Sequence, residues 1–95
     1  MRKYETLFII KPSVEEEARV AAIEKFKAII EKDGEVQEVN EWGMKKLAYE
    51  IKKFKDGYYV LINFLANPDL PKELERNFKI SEDIIRYVVI NKEDK

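Results

Sequence analysis

Apolar and polar positions along the chain follow two different periods, and turn residues mark each change of period. Tyr4 to Ile10 is rich in aromatic and β-branched residues and stops at Lys11-Pro12-Ser13, which predicts a strand. The period then lengthens. Ala18, Ala22, Phe26, Ile29 and Ile30 recur three to four residues apart, the spacing of one helix face. Ser13 with Glu16 three residues later has the form of a capping box, in which side chains satisfy backbone donors at a helix start. Glu15, Glu16 and Glu17 crowd the first turn, where negative charge complements the helix dipole. Gly34, after Lys32 and Asp33, is placed to close the helix.

Val36 to Lys53 predicts a long strand, irregular in its first half because Val36 and Val39 break the alternation. Gly43 is placed for a bulge that resets it. Beyond Gly43, Leu47, Tyr49 and Ile51 point one way and Lys46, Ala48, Glu50 and Lys52 the other. Asp56-Gly57 has the composition of a hairpin turn, since both residues tolerate positive φ. Tyr58 to Leu65 is almost continuously apolar, which predicts a central strand. Asn67-Pro68-Asp69-Leu70-Pro71 breaks it and opens a second helix, whose stripe is Leu70, Leu74 and Phe78. Ile84 to Ile90 reads as the fourth strand, and 91–95 as a short polar tail.

The order strand–helix–strand–strand–helix–strand predicts an α+β chain with the ferredoxin-like split β-α-β arrangement. Two right-handed crossovers put both helices on one face of a four-stranded antiparallel sheet of order 4-1-3-2. One helical layer covers one sheet face, yet both central strands carry large groups on both. Thr6, Phe8 and Ile10 alternate with Glu5, Leu7 and Ile9, and Tyr58, Val60, Ile62 and Phe64 alternate with Tyr59, Leu61, Asn63 and Leu65. Whichever set is uncovered forms either a partner surface or a face screened by twist and long lysines.

Composition narrows the chemistry. Ninety-five residues with 45% hydrophobic and 39% charged positions describe one globular domain, 1–95. The chain has no cysteine and no histidine, so thiolate zinc sites, disulfides and the usual nucleophile–base pairs are excluded. Three glycines form no phosphate-cradling loop. No enzymatic activity, metal, cofactor or small-molecule substrate is expected. No run is long enough to cross a membrane, and Met1-Arg2-Lys3 leads into Glu5 rather than a signal-like apolar stretch.

The net charge of −1 hides a segregation of sign. Residues 13–35 carry net −3, whereas 43–55 carry five lysines against Glu50 alone, net +4. A basic arm on a neutral protein can hold phosphate. Lys55 to Phe64 also resembles the third-strand signature of RNA-recognition motifs, in which aromatics stack bases. It departs where Asp56 separates the basic residue from Gly57 and where Tyr59 replaces a small residue.

A fuller resemblance lies in Gly43-Met44-Lys45-Lys46-Leu47-Ala48-Tyr49-Glu50-Ile51-Lys52, similar to the signature segment of the bacterial ribosomal protein S-six family. Met1-Arg2-Lys3-Tyr4-Glu5 resembles that family's opening, Gly57-Tyr58-Tyr59 its third-strand start, and Ile84 to Val89 its last strand. The resemblance spans essentially the whole chain. It implies a cytoplasmic structural component of the small ribosomal subunit. There it would bind small-subunit ribosomal RNA of the central domain, or platform, together with ribosomal protein S-eighteen. The alternative reading is a stand-alone, RNA-recognition-motif-like binder of single-stranded RNA.

The candidate RNA contacts are Arg2, Tyr4, Lys45, Lys46, Arg86 and Lys92. Arginine matches phosphate through its planar fork, and tyrosine stacks or bonds a sugar. Arg2, Tyr4, Arg86 and Lys92, on neighbouring strands, are expected to converge on one RNA segment. Tyr4 is equally readable as a core aromatic; the lesser alternative for Arg86 is a surface ion pair with a helix acid. Trp42, Leu47 and Tyr49, on the second strand, are the candidate contacts for S-eighteen, because an exposed sheet edge invites a partner. Lys45, Lys46 and Glu41 would deter wrong pairing there; Leu47 and Ile51 are equally readable as facing the helices.

Overall fold

The computed structural model describes residues 1–93. Its elements are β1 (Arg2–Ile10), α1 (Glu16–Asp33), β2 (Gly34–Ile51), β3 (Phe54–Ala66), α2 (Leu70–Ile80) and β4 (Ile84–Asn91). The sheet order is β2-β3-β1-β4, with every neighbouring pair antiparallel. This is the expected 4-1-3-2 order read from the other side. Asn91 of the expected tail belongs to β4, and Asp94 and Lys95 lie outside the described residues.

The core assigns the two alternating sets. Phe8, Ile10, Val60, Ile62 and Phe64 are buried with Ile23, Phe26 and Ile30 of α1 and Leu70, Leu74 and Phe78 of α2. Thr6, Phe8 and Ile10 therefore lie under the helices, and Leu7 and Ile9 face away. Three phenylalanines knit the layers. The Phe26 ring lies 4.5 Å from Phe78 and 5.3 Å from Phe8, and Phe8 lies 4.9 Å from Phe78. The buried Thr6 hydroxyl donates to the Val88 carbonyl at 2.8 Å, so the polar atom on this face is satisfied.

Several local expectations are corrected. Ser13 does not cap α1; Glu15 holds that position without a side-chain bond, because Lys11 to Val14 turns first, with the Val14 amide donating to the Lys11 carbonyl. The buried stripe of α1 is Ile23, Phe26 and Ile30, and Ala18 is exposed. The β2–β3 turn is not Asp56-Gly57. Ile51 pairs with Phe54, so Lys52 and Lys53 form the loop. Gly57 is a buried residue within β3, where an added Cβ would run into Cγ2 of Ile9; it serves close approach rather than a bend.

The bulge at Gly43 is present. Glu41 pairs with Val60 and Gly43 with Tyr59, which leaves Trp42 extra, and Gly43 has φ 87°. A side chain at that φ would be strained, so glycine suits the position.

Candidate nucleic-acid and partner interface

The sheet face opposite the helices is built by alternation. Leu7 lies between Leu61 and Val88, and Ile9 between Tyr59 and Arg86. These side chains border a shallow groove of about 220 Å³ lined by Leu7, Ile9, Tyr59, Arg86 and Val88. Its floor is apolar and its one charge is a guanidinium.

The distal arm of β2 folds back over this face. Between Lys46 and Ile51 its register against β3 slips, which frees the arm to bend. Leu47 is 8% exposed and packs with Ile9 and Ile85, flanked by Ile51, Phe54 and Tyr59. Arg86 donates from Nη1 to the Tyr49 hydroxyl at 3.1 Å. Trp42 stacks on Tyr59 with centroids 6.2 Å apart and planes 13° apart. Leu47 and Ile51 thus pack against the open face rather than the helices. Leu47 is buried within the chain, so it supports the arm and offers no side-chain surface to a partner. Trp42 and Tyr49 remain 44% and 64% exposed.

The candidate RNA residues do not form one cluster. Arg86 stands opposite Ile9, at the far end of β1 from Arg2. The two positions are seven residues apart along β1, about 23 Å along the strand. Arg2 pairs with Ala66, placing it on the helix side, while Arg86 belongs to the open side. Lys92 does sit near Arg2: its amide donates to the Lys3 carbonyl at 2.9 Å, and its ammonium lies 3.8 Å from Glu5. Exposed Lys45 and Lys46 pair with Gly57 and Asp56, at the Arg86 end of the sheet. The expected convergence of Arg2, Tyr4, Arg86 and Lys92 is therefore corrected to two cationic ends.

Tyr4 belongs to neither end. It is 6% exposed, and its ring stacks on Phe64 with centroids 5.6 Å apart. The ring is a core aromatic under the helices and is closed to base stacking. What sequence reasoning passed over is the groove itself, above all Tyr59 and Val88; the third-strand alternation contained Tyr59 without saying which set was uncovered, and Val88 was not singled out.

On the helix side, Tyr58 donates to Glu41 at 2.7 Å, and the Arg19 guanidinium lies 4.1 Å from its ring centroid. The hydrogen bond to the Glu41 carboxylate, reinforced by burial, raises the Tyr58 pKa above its ordinary value. On α2, hydrogen bonds from Arg76 and then Asn77 hold the Glu73 carboxyl below its ordinary value. Among the described residues no group of acidic side chains is arranged to hold a metal, and no helix is long and apolar enough to cross a membrane.

Comparison with known proteins places this geometry. The family model for ribosomal protein S6 matches residues 3–91. A small ribosomal subunit protein bS6 from Clostridium novyi is 62% identical over 94 residues, covering 98% of this chain and 99% of the relative. Its counterpart from Alkaliphilus oremlandii is 52% identical over 93 residues, with coverages of 98% and 99%. The crystal structure of 30S ribosomal protein S6 from Thermotoga maritima aligns with a TM-score of 0.92 at 41% identity, over 96% of this chain and 87% of that one. With its fold, its signature arm and nearly its full length matched, the chain belongs to the ribosomal protein S6 family.

Proposed function

We propose that this protein is a structural component of the small ribosomal subunit that binds platform ribosomal RNA jointly with ribosomal protein S-eighteen, without catalysis. The observation that carries the reading is the open sheet face: an apolar groove under a folded-back arm, with Arg86 at its rim. Arginine and lysine at a rim neutralise phosphates and release counterions, which supplies affinity and fixes register without reading sequence. Trp42 and Tyr49 on the β2 edge supply exposed aromatic surface, which is enriched where proteins meet. A protein partner covers that surface, and the two chains present a joint cationic surface to RNA.

The competing single-stranded RNA reading draws on Tyr59, which faces the open side of a central strand. Trp42 already stacks on that ring, which favours the joint reading. The test is to measure affinity for platform RNA with the chain alone and with S-eighteen. Binding by the pair should be tighter by orders of magnitude, through shared surface and pre-organisation. Equal affinity for the isolated chain would refute joint binding.

A further inference from the structure

The β2–β3 turn is made of residues that its conformation disfavours. Lys52 has φ 50° and Lys53 has φ 70° in a two-residue loop between paired Ile51 and Phe54. Such loops favour Asn-Gly or Asp-Gly, because the left-handed region brings Cβ against backbone oxygen. Lysine has neither glycine's freedom nor the short side chain with which asparagine bonds its own backbone. Fold stability therefore does not explain two lysines here. Strain of this kind concentrates at functional sites, where the surrounding structure holds it in place.

Charge is the second observation. Lys45, Lys46, Lys52, Lys53 and Lys55 all lie on the hairpin arm and are exposed. None of them forms an ion pair among the described residues, whereas Lys11, Lys27 and Lys92 do. With Glu50 and Asp56 included, residues 45–56 still carry net +3. Unpaired like charges on one arm repel, which adds to the cost of the turn. An anion arriving from outside offsets both.

We propose that the Lys52-Lys53 tip, with Lys55 beside it, is a further RNA contact that places ammonium groups on phosphates of the RNA backbone. It rests on the RNA-binding reading above. Ammonium on a flexible stem suits phosphate as a point charge rather than the edge of a base, so the tip orients the chain without selecting sequence. Lysine is depleted at protein–protein interfaces, which favours RNA over an acidic protein as the occupant. Leu47 and the Tyr49–Arg86 bond hold the arm against the sheet, so the tip projects from a braced support.

The test replaces the turn with the sequence its backbone favours, Lys52→Asn with Lys53→Gly, in the pair with S-eighteen. Thermal stability should rise and pairing should be unchanged. RNA affinity should fall, and the slope of log affinity against log salt should flatten by roughly 0.9 for each duplex phosphate no longer neutralised. Lys52→Gln with Lys53→Gln should flatten the slope without relieving the turn, and Lys52→Arg with Lys53→Arg should retain it. Unchanged affinity and slope in the Asn-Gly variant would overturn the tip contact while leaving the RNA reading intact, because the unsubstituted pair still binds. Loss of pairing by the Asn-Gly variant would assign the tip to a protein contact and overturn it as well. No binding by the unsubstituted pair would overturn both.

Discussion

Arg86 and Tyr49 join opposite edges of the sheet, the guanidinium of β4 donating to the hydroxyl of β2 at 3.1 Å. Two whole strands lie between those edges. The bond exists because the distal arm of β2 folds across the open face and Leu47 seats against Ile9 and Ile85 beneath it.

Packing should therefore brace the arm more than the hydrogen bond does. Leu47→Ala should cost about 2 kcal/mol, the lower end for a buried leucine, because the site is near an edge and can partly collapse. Tyr49→Phe keeps the ring and should cost less than about 1 kcal/mol. Chemical denaturation of both variants checks this, and equal losses would mean that Leu47 does not anchor the arm.

The helical layer gives a larger contrast. Phe26 touches both Phe8 and Phe78, so Phe26→Ala should cost about 3–5 kcal/mol, and Leu74→Ala about 2–5. Glu17→Ala, on the exposed first turn, should stay within about 0.5 kcal/mol. Urea midpoints separate the two classes; overlapping midpoints would mean that the face of α1 has been misplaced.

Arg2 and Arg86 occupy opposite ends and opposite faces of the sheet. If each reaches RNA, they reach different segments. The affinity losses of Arg2→Ala and Arg86→Ala in the S-eighteen pair should then add within about 0.5 kcal/mol. A coupling well beyond that in the double-mutant cycle would require one shared RNA segment.

Tyr58 sets an alkaline limit. Its hydrogen bond to Glu41 favours the protonated phenol in the folded state and raises its pKa. A raised folded value contributes stability that is fully present below the ordinary tyrosine pKa of about 10 and is lost as pH rises through the folded value. Tyr58→Phe should therefore flatten the fall of stability above about pH 10 relative to the unsubstituted chain. Melting curves between neutral and strongly alkaline pH measure it, and identical slopes would remove Tyr58 as the source.

Strong local signals proved legible in the sequence: the α2 stripe at Leu70, Leu74 and Phe78, the two-faced strands and the bulge at Gly43. The hairpin turn was not. Asp56-Gly57 has the better turn chemistry, but packing of Leu47, Ile51 and Phe54 sets the register and moves the bend to two lysines. Tertiary packing likewise decided Ile23 over Ala18 in α1. At the site, alternation identified an uncovered face without saying which one, since both sets are bulky. The expected convergence of Arg2 with Arg86 failed for a simpler reason: antiparallel pairing brings the start of β4 to the end of β1.

The uncovered face also places a condition on supply. In an unassembled copy Trp42, Val88 and Ile90 remain in water, and both sheet edges present unpaired backbone groups. Apolar surface of that kind adheres to whatever is near, other copies included. If S-eighteen and RNA cover this face, as proposed, a copy made without them is the one most prone to self-association, and matched synthesis of the three would keep that surface out of water.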